Sequence, residues 1–567
     1  VPDASLDAIS APSAAPVESP IADSSALALN VMNESSPLVM KGLFAARTSS
    51  GRGDMLSRNA VGGARMRVES DQPVSQSGVI SPSQDDFDVI RENPFQRVAD
   101  HPLSTFSIDV DSASYAVVRR HLTEGRMPPK DAVRIEELIN YFRYDYAPPT
   151  DGRPFAVHLA AAPCPWNPEH QLVRVALQAR AIPRESRPAL NLVFLVDVSG
   201  SMSSENRLPL VKRSLQALAR QLDERDRIAI VVYAGAAGLV LPTTNGARTP
   251  EILAALEQLQ SGGSTAGGAG IELAYATAQS QFVEGGVNRV ILCTDGDFNV
   301  GLTQRGDLEK LIEEKARSGV FLTVLGFGMG NYKDSTLELL SGKGNGNYGY
   351  VDSFAEARRL LVDQMLGTLV TVAKDVKIQV EFNPARIAGY RLIGYENRLL
   401  RKEDFNNDRV DAGDVGAGHA VTALYELVPA GRPVPGPGQV DELKYQEAAT
   451  GAAASSGELL TAKLRYKLPD DDTSIRMDFP LEADALTTAP DHEFGFACAV
   501  AGFGMILRDS AHRGSFTCDD VLELAEAGLA NDPEGYRRDF LNLVRNARAL
   551  TGSPGPAPEA PEAGTDR

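Results

Sequence analysis

Residues 197–201 read Asp197-Val198-Ser199-Gly200-Ser201, three oxygen-bearing side chains at alternate positions directly after the apolar run Leu192-Val193-Phe194-Leu195-Val196. Where a strand ends and the chain turns, that spacing lets the three side chains converge. One carboxylate and two hydroxyls suit a hard cation, Mg2+ first and Mn2+ or Ca2+ after it. Such a set neutralises the ion only in part, so the ion keeps affinity for an outside ligand. The same residues also fit plainer roles: a helix N-cap or, for the serines, a nucleophile.

Two downstream segments extend the pattern. The glycine-rich stretch from Ser261 to Gly268 precedes an apolar helix and offers Thr265; the strand Val290-Ile291-Leu292-Cys293-Thr294 runs into Asp295-Gly296-Asp297 and offers Asp295. Together Asp197, Ser199, Ser201, Thr265 and Asp295 resemble the metal-ion-dependent adhesion site of von Willebrand factor type A domains, with all five positions in the family's order. The resemblance implies hydroxyls from Ser199, Ser201 and Thr265, with Asp197 and Asp295 bound directly or through water. It further implies a protein-binding or adhesion module without catalysis, in which a partner's Asp or Glu carboxylate completes the ion's shell. Glu205, Asn206, Asp297 and Asn299 lie close enough in sequence to tune partner choice.

The elements that must hold these loops are readable from about 187 to 370. Leu208, Val211, Leu215, Leu218 and Leu222 recur at helical spacing, and Ile228–Tyr233, Val290–Thr294 and Val320–Phe327 are apolar strands with helical stretches between them. Strands without polar alternation predict a mostly parallel sheet covered on both faces, a Rossmann-like α/β domain. Open sheets of this kind bind ligands beyond the carboxyl ends of their strands, where Asp197 and Asp295 fall.

The flanks read differently. Residues 1–86 are rich in Ser, Ala, Pro and Gly and are expected to form a disordered arm reaching roughly 50 Å as a flexible coil. Residues 87–186 carry a strand at Phe106–Val110, a helix capped by Asp111 or Ser112 and ending at Gly125, a second helix after Pro128-Pro129, and strands on either side of the turn around Trp166, expected to be a packing anchor. Residues 371–550 run from alternating strands to three helices, the last starting at Asp532-Pro533-Glu534, and 551–567 form a second disordered tail. The stretches Pro102–Asp111, Arg134–Phe142 and Tyr390–Arg398 resemble a bacterial group of von Willebrand A proteins that carries an N-terminal extension and a C-terminal domain of unassigned function. The expectation is that strands from both flanks pair into one β-rich α+β body with the A domain inserted.

Composition narrows the function classes. The 567 residues carry a net charge of −19, which opposes nucleic-acid binding, and the basic pairs Arg358-Arg359 and Arg537-Arg538 are expected on solvated helix faces. Four scattered cysteines and seven histidines include no zinc spacing and no HExxH. The loop from Asp295 fails as an EF-hand, since its sixth and twelfth positions are Val300 and Gly306. Gly326-Phe327-Gly328-Met329-Gly330 lacks dinucleotide spacing, and Asp109 with Asp111 reads as strand end plus helix cap rather than a second cation pair. No apolar run reaches the length of a membrane span. The Ser/Pro/Ala-rich arm and the non-Met start fit an exported, envelope-tethered protein with a targeting segment removed, a cytoplasmic location being the alternative. Two rivals to the adhesion reading remain at this point: a structural or assembly protein in which the ion only stabilises the loops, and, less favoured, a hydrolase.

Overall fold

The computed structural model describes residues 87–263, 267–296, 305–328, 334–436, 451–469 and 471–552. Its centre is a six-stranded sheet in the order Tyr348–Val351, Val320–Phe327, Val287–Thr294, Leu190–Asp197, Arg227–Tyr233, Ala237–Asn245. Every neighbouring pair is parallel except the last, where Ala237–Asn245 returns antiparallel as an edge. All eight residues of Leu190–Asp197 are buried, as a central strand covered on both faces requires. Its side chains divide by parity. Leu192, Phe194 and Val196 join a core with Leu208, Val211, Leu215 and Leu218 of the helix Leu208–Ala219. Val193 and Leu195 join a second core with Ile271, Ala274 and Tyr275 of the helix Gly267–Ser280. That helix lies close on the sheet because Gly270 has no side chain: a Cβ there would stand 2.8 Å from the Tyr233 Cβ.

The two flanks do share one β-rich body. In one sheet Gln96–Arg97, Asn167–Ala179 and Phe155–Cys164 from the N-terminal side combine with Ile387–Ile393 and Ala420–Pro429 from the C-terminal side, all antiparallel. In another, Leu103–Ser107 and Glu458–Lys467 lie on opposite sides of Thr371–Phe382. The sheets face each other through aromatic rings: Phe382 stacks on Tyr390 with centroids 4.0 Å apart, and the Tyr425 hydroxyl donates to Ser104 Oγ at 2.9 Å. The other face of the first sheet, with Leu172, Ala176, Ile393 and Leu424, packs on the helices His492–Arg508, Cys518–Glu526 and Tyr536–Thr551.

A buried charge cluster fastens this body to the A domain. Arg119, on the helix Ala113–Thr123, pairs with Asp352 and Glu356, and Glu356 also pairs with Arg359 at 2.6 Å and accepts from the Tyr141 hydroxyl at 3.0 Å. Burial works against the charged form of Glu356, but Arg359 and Arg119 outweigh it and hold the carboxyl below its ordinary range.

Three local expectations are corrected. Arg359 and Arg537 are buried, not solvated: Arg359 bonds Glu356, and Arg537 pairs with Glu493 and stacks over the Phe496 ring. Asp111 does not cap a helix; its carboxylate accepts from the Tyr348 backbone at 2.9 Å and from Arg398 at 3.2 Å, while the Ser112 hydroxyl is taken by Arg359. The last helix starts at Tyr536, and Asp532 accepts from the Arg537 and Arg538 backbone amides at 3.1 and 3.0 Å rather than forming the cap itself. Trp166 is a packing anchor as expected, buried with its indole donating to Glu426 at 3.0 Å.

Candidate metal centre at the strand tips

The two central parallel strands carry Asp197 and Asp295 to the same edge of the sheet, Asp197 as the last residue of Leu190–Asp197 and Asp295 directly after Val287–Thr294. After Asp197 the chain makes a short 3-10 turn, Gly200–Ser203, pinned from below by the fully buried Met202. One carboxylate oxygen of Asp197 accepts from the Ser199 amide at 2.8 Å, which folds the turn back over the strand end. The Ser199 and Ser201 hydroxyls then stand 2.9 Å apart. The second loop is bonded to the first through its described residues: the Gly200 amide donates to Gly263 O at 3.1 Å, and the Gly262 amide to Val198 O at 2.7 Å. Thr265, Asp297 and Asn299 lie outside the described residues. Of the five candidate ligands, Asp197, Ser199, Ser201 and Asp295 are therefore placed on neighbouring strand tips.

The electrostatics fit a cation. Asp197 is fully buried, and its second oxygen, Oδ2, has no hydrogen-bond partner within 3.5 Å, although the Tyr233 hydroxyl is near enough to favour its charged form. Burial pushes the Asp197 carboxyl up to about 6; the Ser199 bonds oppose that shift, and the charge of nearby Asp295 adds to it. A buried carboxylate oxygen without a donor, beside a second carboxylate and two hydroxyls, is the environment a hard divalent ion satisfies. Among the described residues no three His, Cys, Asp or Glu side chains converge as a metal site, so a centre here depends on its hydroxyls. His158 and His170, the histidines that precede the motif most closely in sequence, are engaged in the flanking sheet, where His158 bonds Ala147 O and His170 bonds Glu426.

One residue at the site carried no marking in the sequence. Arg207 donates through Nη1 to Ser201 O at 2.7 Å and to Asp295 Oδ2 at 2.8 Å, so it bridges the first and third loops. Its only sequence signal is a basic residue shortly after the D-x-S-x-S turn and directly before the helix at Leu208.

A mostly parallel sheet whose central strand ends in Asp197-Val198-Ser199-Gly200-Ser201, with Asp295 on the neighbouring tip, defines a von Willebrand factor type A domain. The model of that domain matches residues 191–364; models described as von Willebrand factor and as the C-terminal part of uncharacterized protein YfbK match 81–174 and 367–550. The chain belongs to the family of the Escherichia coli K12 protein YfbK, to which it is 43% identical over 468 residues, covering 81% of this chain and 80% of that protein. It is also similar to the Synechocystis protein sll0103, at 29% identity over 188 residues, 33% of this chain and 43% of that one. Among solved structures, von Willebrand factor type A from Catenulispora acidiphila matches at 16% identity and a TM-score of 0.38, covering 71% of this chain and 91% of that one.

Proposed function

We propose that the A domain is a metal-dependent protein-interaction module. In this reading Asp197, Ser199, Ser201, Thr265 and Asp295 hold Mg2+, or Mn2+ or Ca2+ in its place, and the ion takes up a carboxylate from a protein partner. The observation that carries it is the buried, unpartnered Asp197 Oδ2 set beside the paired Ser199 and Ser201 hydroxyls at the carboxyl ends of parallel strands. Hydroxyl ligands matter because they leave the ion electrophilic, whereas further carboxylates would quench its attraction for an outside anion. An interaction role suits the domain class better than catalysis, and His158 and His170 are engaged in the flanking sheet.

The test is capture of protein partners on the immobilised full chain in Mg2+ or in chelator, with Asp197→Ala alongside. Partners retained in Mg2+, released by chelator and absent from Asp197→Ala support the reading. Capture indifferent to both leaves the ion, at most, a stabiliser of the loops. Residues 1–86 have the composition of a flexible tether, which supports the further proposal that the folded head stands off an envelope surface. No helix among the described residues is long and apolar enough to cross a membrane. Cell fractionation decides this point: recovery wholly in the cytosol would overturn it.

A further inference from the structure

The guanidinium of Arg207 occupies one of the two carboxylates that a divalent ion at this site would draw on. Its Nη1 bonds Asp295 Oδ2 at 2.8 Å and Ser201 O at 2.7 Å, and the side chain is only 14% exposed. The placement is built into the strand tips. The stem of Arg207 lies in the space left by Gly328, where an added Cβ would come within 2.3 Å of Nε and 2.7 Å of Cγ. Gly328 itself has φ of +86°, follows directly on the strand Val320–Phe327, and has its carbonyl held by the Tyr350 hydroxyl. Tyr350 in turn accepts from Arg120, on the flanking helix Ala113–Thr123, at 2.6 Å.

We propose that Arg207 is a built-in competitor of the divalent ion, one that sets the metal affinity of the site low and must release Asp295 for the ion to load fully. The inference rests on the metal-site reading above. The charge count states the reason. Among the described residues at these tips, Asp197 and Asp295 offer negative charge when ionised, and the Arg207 guanidinium offsets that of Asp295, so an incoming ion meets a weaker attraction. The guanidinium and the ion are also like charges in a largely buried site, where their repulsion is poorly screened. Arginine suits this role because it stays protonated at any physiological pH and cannot yield by losing its proton.

The experiment is Mn2+ binding to the full chain, read by equilibrium dialysis and by the shift in melting temperature. The wild type is compared with Arg207→Ala, Arg207→Gln and Arg207→Lys. Arg207→Gln keeps much of the stem against Gly328 and guards against a folding defect in the alanine variant. The expected result is Mn2+ binding at least about tenfold tighter in Arg207→Ala and Arg207→Gln, with Arg207→Lys within about threefold of wild type. The melting-temperature rise at a fixed Mn2+ concentration should follow the same order. Binding by the wild type that is equal to or tighter than that of the alanine and glutamine variants overturns the competitor role and leaves the metal site standing. Absence of binding in the wild type and both neutral variants overturns the metal site and the competitor role together.

Discussion

At the scale of single residues, the molecule buries carboxyl groups whose charged form is unfavourable without a partner. Asp197 is the clearest case, and Glu136 is a second, far from the strand-tip loops. Glu136 is 1% exposed, its Oε2 has no hydrogen-bond partner, and burial together with the charge of Glu396 pushes its carboxyl up to about 7. Its folded pKa thus lies above the unfolded value of about 4.3. Between those values the folded state holds a proton that the unfolded state has lost, so this residue's contribution falls as pH rises from about 4.3 to 7. Glu136→Gln should remove that slope: relative to wild type it gains roughly 3–4 kcal/mol at pH 8 and little at pH 4. Urea melts at both pH values check it, and an equal shift at the two would contradict the assignment. Asp197, Ser199 and Ser201 were legible as a pattern because their spacing is local, and Asp295 because it ends an apolar strand of its own. Arg207 was not, since its partner Asp295 is 88 positions away and nothing near Arg207 in the chain announces the contact.

At the scale of elements, the strands and helices that bear the site follow from apolar periodicity, and so they were legible. Two strands of the sheet were not. Tyr348–Val351 has only four residues, and Ala237–Asn245 is an edge strand whose Gly238 and Pro242 break the usual composition. The buried arginines were missed for a different reason. Glu356 lies only three residues before Arg359, but Arg119 and Ser112, which close the cluster around that pair, are more than 230 residues away, and without them a local pair reads as a solvated one. This cluster makes a direct prediction. Glu356→Ala leaves Arg119 with Asp352 as its carboxylate partner and strips Arg359, 2% exposed, of its own. The expected loss is about 3–5 kcal/mol, the range for an uncompensated buried charge. Glu356→Gln should lose less, because its single amide oxygen still accepts from one of the two guanidiniums. Chemical denaturation of the two variants measures the difference, and an alanine variant as stable as the wild type would rule out the cluster as a fastening.

At the scale of the whole molecule, the chain interleaves its ends. The strand Asn167–Ala179 lies between Phe155–Cys164 and Ala420–Pro429, while Leu103–Ser107 pairs with Thr371–Phe382. Neither flank can therefore complete its sheet alone. Deleting residues 371–552 should leave the amides of Phe155–Cys164 and Asn167–Ala179 with little protection from hydrogen exchange. Native-like protection in the deletion variant would show that the N-terminal flank folds by itself. The flanking body contacts the A domain through Arg119 and Arg120, so the strand tips are reached by contacts that start in the flanks. The central claim, that these tips hold a divalent ion for a partner's carboxylate, is tested most directly by Mg2+ titration calorimetry on the wild-type chain and Asp197→Ala. The account predicts one saturable site in the wild type and its loss in an Asp197→Ala protein whose circular dichroism is unchanged. Equal binding by the two proteins, or no binding by either the wild type or Arg207→Ala, would contradict it.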